Sequence, residues 1–165
     1  MAPKNLPVRP TKDMAKEGLF NILSNQYYFP DLKVLDLFSG TGNISFEFAS
    51  REVHDILAID AHSGCIKFIE KTNDLLETQI RTFKSDVFTF LQRNTETFDI
   101  IFADPFYDMD LLDFEKIPQL VFERELLNED GVLIIEHSSK TGLEHLPHFD
   151  NSRKYGGSVF SFFKN

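Results

Sequence analysis

The chain has 165 residues and a hydrophobic fraction of 42%, which is typical of a single domain, here residues 1–165, with one sizeable core. Its net charge of −9 argues against a protein whose whole surface grips nucleic acid, because phosphate contacts need Lys and Arg. No apolar run approaches the length of a membrane span and no leader resembles a signal peptide, so we expect a protein of the cytoplasm. We also expect a monomer.

The N-terminal end of the chain is basic and leads into a predicted helix. This end either marks where an anion docks or is a solvated terminus; its cations are Lys4, Arg9, Lys12 and Lys16. Thr11 is a suitable N-cap for the helix, and Pro30 lies beyond the end of the helix. The apolar face of the helix has a spacing of about 3.6 residues and comprises Ala15, Leu19, Ile22 and Leu23.

Beyond this helix, short apolar runs typical of buried strands alternate with segments of helical pattern. The predicted strands are Val34–Phe38, Ile56–Ile59, Ile80–Phe83, Phe98–Ala103 and Val132–Ile135. The predicted helices are Ile44–Ala49, Cys65–Leu76, Val87–Leu91 and Ile117–Leu127. This alternation predicts an α/β fold, a doubly wound and mostly parallel sheet with helices on both faces.

The C-terminal tail breaks the alternation. Residues 154–163 have the pattern of a strand, a Gly-Gly turn and a second strand. We therefore expect the sheet to finish with an antiparallel hairpin, which departs from a plain dinucleotide-binding fold.

The first predicted strand runs into a glycine loop, Asp36-Leu37-Phe38-Ser39-Gly40-Thr41-Gly42. Gly40 and Gly42 let the chain turn sharply and approach a ligand without an intervening Cβ. Ser45 stands where a dinucleotide fingerprint has its third glycine, and no Lys follows as in a P-loop, so a pyrophosphate fits poorly. A cofactor with a charged amino-acid end, held by loop amides and the Asp36 carboxylate, fits better.

Two further acidic residues follow the next predicted strands. Asp60 lies 18 residues past Gly42, the spacing at which a carboxylate reaches a ribose diol. Asp86 could cap the helix that starts at Val87, or accept from an adenine amino group, and the two roles are compatible. The chain's five histidines have no metal-ligand spacing, so no metal site is predicted; they are His54, His62, His137, His145 and His148.

The fourth predicted strand ends in Asp104-Pro105-Phe106-Tyr107, at the sheet edge where the glycine loop also emerges. An exocyclic amine on a base is a poor nucleophile, because its lone pair is delocalised into the ring. The Asp104 carboxylate and the Pro105 carbonyl could accept its two N–H bonds and aim the lone pair at a methyl sulfonium, while Phe106 or Tyr107 stacks on the base. The two loops together indicate a methyltransferase.

These segments resemble the RsmD-type bacterial methyltransferases over nearly the whole chain. The similarity includes Arg9-Pro10-Thr11, the helix segment Glu17–Leu23, the loop Asp36–Gly42, Asp60, Asp86 and Asp104–Tyr107, in this order. The resemblance implies the class I, Rossmann-like fold of enzymes that use S-adenosylmethionine to methylate the N2 amine of a guanine in small-subunit (16S) ribosomal RNA. The family usually has a basic, Gly-containing segment before Arg-Pro-Thr. This sequence starts only eight residues before Arg9, so we expect that segment to be shortened here.

By this resemblance each motif acquires an expected role. The cofactor would be held by Asp36, Phe38, Gly40, Gly42, Asp60 and Asp86. The target base would be held by Asp104, Pro105, Phe106 and Tyr107. The partner would be ribosomal RNA or a small-subunit particle. Two alternatives stay open: an adenine-N6 methyltransferase acting on DNA or RNA, because the same loop suits either amine, and a non-catalytic binding module that keeps the fold.

Overall fold

The computed structural model describes residues 13–106 and 108–165. The predicted cap Thr11, the Arg9-Pro10-Thr11 motif, the basic residues before Asp13 and Tyr107 lie outside these residues. No helix in the described part of the chain is long and apolar enough to cross a membrane.

The chain folds as one seven-stranded sheet with helices packed against both faces. The helices are α1 Asp13–Gln26, α2 Asn43–Ser50, α3 Ser63–Leu76, α4 Val87–Arg93 and α5 Leu111–Glu123, with a short 3-10 turn at Phe29–Asp31. The strands are β1 Lys33–Leu37, β2 Asp55–Asp60, β3 Arg81–Lys84, β4 Phe98–Ala103, β5 Leu127–Ser138, β6 Phe149–Tyr155 and β7 Ser158–Phe163.

The strand order is β3-β2-β1-β4-β5-β7-β6; β1 to β5 are parallel to one another, and β7 is antiparallel to both β5 and β6. The predicted α/β class, the mostly parallel sheet and the closing hairpin are therefore confirmed. From β1, successive strands are added first towards β3 and then, starting with β4, on the other side of β1, so the strand order reverses between β1 and β4. A crevice forms at such a switch point, outside the carboxyl ends of the strands.

Successive side chains of the strands lie on opposite faces of the sheet and pack into two cores, one on each face. The first core joins the sheet to α1, α2 and α3 and includes Phe20, Phe48, Ile69, Phe102 and Phe160. The second core joins the sheet to α4 and α5 and includes Leu37, Leu91, Ile101, Phe114 and Phe163. Because both faces are covered, the central strands are apolar almost throughout, and polar side chains emerge where the strands end.

The predicted helix Ile117–Leu127 is wrong at both ends. The helix begins at Leu111 and contains Pro118 in its interior, and the chain leaves it at Glu123. Leu127 is the first residue of β5. Leu126 and Leu127 continue the apolar pattern, but they are buried in the second core beside the sheet. Glu125 has a left-handed φ of 53°, which breaks the helix between the two elements.

Candidate active site

The glycine loop crosses from β1 to α2 at the switch point of the sheet. Gly40 and Gly42 both have left-handed backbone, with φ of 57° and 85°. The amide of Ser39 donates to the Ile59 carbonyl of β2 over 2.9 Å, and the amide of Gly42 donates back to the Ser39 carbonyl over 2.9 Å. These bonds hold the loop against the end of β2 in a tight turn.

Asp60 fastens this loop to the end of β2. One carboxylate oxygen accepts from the amide of Gly40 and the other accepts from the amide of His62, each over 2.9 Å. A carboxylate has about four lone-pair positions. Asp60 therefore organises the turn and keeps acceptor capacity for a ligand diol, and its side chain is only partly buried.

Asp36 lies beneath the loop and is only 2% exposed. Its carboxylate accepts a 2.7 Å hydrogen bond from the hydroxyl of Ser45 on α2. Burial raises the pKa of Asp36 to about 7, against the lowering effect of the Ser45 hydrogen bonds, and Asp60 adds to the rise. Sequence patterns did not indicate the Ser45 contact, although the missing third glycine marked that position.

Asp86 caps α4, as predicted. Its carboxylate accepts from the Thr89 amide over 3.0 Å and from the Thr89 hydroxyl over 3.2 Å. The side chain is exposed, so the cap leaves part of the carboxylate open to solvent.

The residues of the predicted catalytic loop leave the end of β4 beside the glycine loop. Asp104 is partly buried, Pro105 is buried and Phe106 is 55% exposed. The rings of Phe106 and Phe38 meet edge to face with centroids 6.3 Å apart, and Phe38 meets Phe88 of α4 in the same way at 6.4 Å. The two predicted loops are therefore in contact, and Phe88 is a site residue that the motifs did not indicate.

We expect Gly42→Ala to destabilise the protein more than Gly156→Ala does. A Cβ on Gly42 would lie 2.9 Å from Cε2 of Phe46 and 3.0 Å from Cγ1 of Ile69, so overpacking adds to the strain of the positive φ. Gly156 also has a positive φ, but a Cβ there would meet no atom within 4 Å. Strain alone costs about 1–2 kcal/mol and overpacking adds roughly 1–3 kcal/mol. Urea unfolding of both variants measures the difference; equal losses would contradict it.

The Asp36 carboxyl should make stability depend on pH. Its pKa in the folded state, about 7, lies above the unfolded value near 4, so the folded state binds more protons across this window. Its contribution to stability is therefore complete below pH 4 and falls as the pH rises towards 7. Asp36→Asn keeps an acceptor for Ser45 but cannot ionise. Between pH 4 and pH 8 its free energy of unfolding should therefore rise by roughly 2–4 kcal/mol relative to that of wild type. Urea unfolding measures this gain; Asp74→Asn, on the exposed side of α3, is the control. Parallel pH profiles for wild type and Asp36→Asn would contradict it.

The strand order and a glycine loop at the switch point define the fold of the class I S-adenosylmethionine-dependent methyltransferases. The family described as conserved hypothetical protein 95 matches residues 1–164, so the chain belongs to that family. Together with the named relatives, this match confirms the RsmD-type family that the motifs predicted.

Named relatives agree with this membership, and a solved structure agrees with the fold. The chain is 29% identical over 140 residues to a putative rRNA methyltransferase, YlbH, of Bacillus subtilis, covering 82% of this chain and 74% of the relative. It is 29% identical over 137 residues to the ribosomal RNA small subunit methyltransferase D of Buchnera aphidicola, covering 82% and 67%. The structure of a putative methyltransferase, YhhF, from Escherichia coli superimposes with a TM-score of 0.82 at 24% identity, covering 96% of this chain and 89% of that one.

Proposed function

We propose that the chain transfers a methyl group from S-adenosylmethionine to the exocyclic N2 amine of a guanine in small-subunit ribosomal RNA. The observation that carries the proposal is the ring contact between Phe38 and Phe106, which joins the glycine loop to the Asp104–Tyr107 loop. A methyl donor held by the first loop would lie next to an amine held by the second. The names of the relatives in Bacillus and Buchnera support ribosomal RNA as the substrate.

The glycine loop fits S-adenosylmethionine. Its left-handed glycines expose backbone to a ligand, and Asp60 keeps acceptor capacity suited to the ribose hydroxyls. The hydroxyl of Ser39 is buried and has no hydrogen-bond partner among the described residues, so the loop keeps an unused polar group. Asp36 is buried below the loop. The electrostatic field of its carboxylate would favour the cationic amino-acid end of S-adenosylmethionine without direct contact.

The bound cofactor would supply an electrophilic methyl on a sulfonium. The chain's own task is then to orient a weak nucleophile. Asp104 and the carbonyl of Pro105 would accept the two N–H bonds of the amine, and Phe106 or Tyr107 would stack on the base. Because Pro105 is buried and fixes its own φ, its carbonyl comes from a rigid part of the loop.

The deciding experiment uses small-subunit particles and deproteinised ribosomal RNA from cells that lack this enzyme. Each is incubated with the protein and S-adenosylmethionine that carries a labelled methyl, then digested to nucleosides. Labelled N2-methylguanosine supports the proposal. Labelled N6-methyladenosine would identify the adenine-specific alternative, and cofactor binding without methyl transfer to either RNA would identify a binding module.

A further inference from the structure

An open groove of about 650 Å³ lies between the edge strand β3 and helix α4. Ligand pockets typically enclose about 300–1,000 Å³, so the groove has room for a nucleotide. Among the described residues, none of those proposed to hold the cofactor or the target base lines it. The groove is therefore distinct from the candidate active site.

Phe83 exposes an aromatic ring in this groove. It belongs to β3 and lines the groove, and it is 54% exposed. The buried ring of Phe90 on α4 supports it, with centroids 6.1 Å apart. Edge strands are usually protected by charged side chains, and an aromatic ring left in water is unfavourable. Such a ring is suited to stacking with a base, because every base has a flat π-face.

A cluster of ion pairs lies at the amino-terminal end of β3. Arg81, the first residue of β3, donates to Glu96 over 3.1 Å and to Asp55 over 2.9 Å. Lys33 also contacts the Glu96 carboxylate, over 2.9 Å. Two cations and two carboxylates therefore compensate one another, and this cluster adds no net charge to the groove.

Two further cations line the groove and form no ion pair with any residue in the described part of the chain. They are Lys84, the last residue of β3, and Arg93, the last residue of α4, and both are exposed. The whole chain has a net charge of −9, so two uncompensated cations beside an exposed ring are a local exception. Proteins that bind single-stranded nucleic acid combine such cations, which contact phosphates, with aromatic rings, which stack on bases.

One end of the groove reaches the candidate active site. Ser85 lines the groove, and its amide donates to the carbonyl of Asp60 over 3.0 Å. The end of β4, where Asp104 follows, lies three strand spacings from the end of β3, about 14 Å away. A few nucleotides of extended RNA span this distance.

We propose that the groove between β3 and α4 is a second RNA-binding site, which holds a single-stranded nucleotide that flanks the target base. Phe83 stacks on the base of this nucleotide, and Lys84 and Arg93 contact its phosphates. The inference rests on the proposed function for RNA as the substrate and extends it to residues outside the motifs. A protein strand added to β3 is a poorer occupant, because β3 offers only four residues for pairing.

The test measures binding of a labelled single-stranded oligoadenylate of about ten nucleotides at several salt concentrations. Phe83→Ala should weaken binding roughly five- to a hundredfold and leave the salt dependence unchanged. Phe83→Tyr keeps a ring and should bind like wild type. Lys84→Ala and Arg93→Ala should each lower the slope of log affinity against log salt by about 0.7, the value for one phosphate contact on a single strand.

The control is Lys71→Ala, which removes an exposed cation of α3 outside the groove and should change neither quantity. Cofactor Kd and the methyl-transfer rate at saturating RNA should stay at wild-type values in all variants, with only the RNA KM raised in the groove variants. The inference is overturned by wild-type affinity in Phe83→Ala, by unchanged slopes in both cation variants, or by no binding of the oligonucleotide to wild type. The groove would then be left to another occupant, such as a protein strand.

Failure of the proposed function has a different signature. If wild type methylates no RNA while the groove variants still lose affinity for the oligonucleotide, the proposed function fails and the RNA-binding groove stands. If methyl transfer is normal and the groove variants bind like wild type, only the groove is rejected.

Discussion

Asp104→Ala is expected to slow methyl transfer by roughly 10²–10³-fold, because the proposed function uses the Asp104 carboxylate as a preorganised acceptor for the target amine. Cofactor affinity should barely change, since Asp104 follows β4 whereas the glycine loop follows β1. Single-turnover rates and calorimetric Kd values for S-adenosylmethionine measure the two effects separately.

The matched control for this prediction is Asp108→Ala. Asp108 is exposed and lies four residues further along the same segment, so its loss changes the net charge equally. Asp104→Asn adds an intermediate case, because an amide keeps one acceptor oxygen. Wild-type turnover in Asp104→Ala would show that another group orients the amine.

Asp60→Ala is expected to weaken binding of S-adenosylmethionine by roughly 1.5–3 kcal/mol, the worth of a charge-assisted hydrogen bond. Folding should be largely retained, because the amides of Gly40 and His62 that lose this acceptor lie in partly exposed positions. Calorimetry at constant pH measures the change. Asp55→Ala, at the opposite end of β2, is the control.

A ligand comparison shows whether Asp60 acts on the ribose or only on the loop. The demethylated product and its 2′-deoxy analogue are bound to wild type and to Asp60→Ala. If the carboxylate contacts the diol, loss of the 2′-hydroxyl costs wild type more affinity than it costs the variant. Equal costs would assign the carboxylate to loop anchoring alone.

The architecture could be predicted because strand and helix periods are clear in this sequence. The predicted β4, Phe98–Ala103, has the bounds that the structure gives, since a central strand is apolar throughout. β3 shifts by one residue to Arg81–Lys84, because an edge strand of four mostly exposed residues leaves a weaker apolar signal. The hairpin was marked by Gly156 and Gly157.

The contacts within the site could not be predicted to the same depth. Sequence spacing indicated which loops carry polar groups, but not that Ser45 would satisfy a buried Asp36 or that Phe88 would pack against Phe38. Both contacts depend on how helices α2 and α4 lie on the sheet. The roles assigned to Asp104 and to the cofactor-loop residues stay predictions.

Phe38 has an unusual backbone for a bulky residue. Its φ of 56° is left-handed, a conformation that disfavours any side chain with a Cβ. The ring contacts with Phe88 and Phe106 hold it there, so the shape of the glycine loop depends on aromatic neighbours from two other segments. A loop held in this way is ordered before any ligand arrives, and a ligand that displaces Phe106 would remove one of the two ring contacts that support the backbone of Phe38.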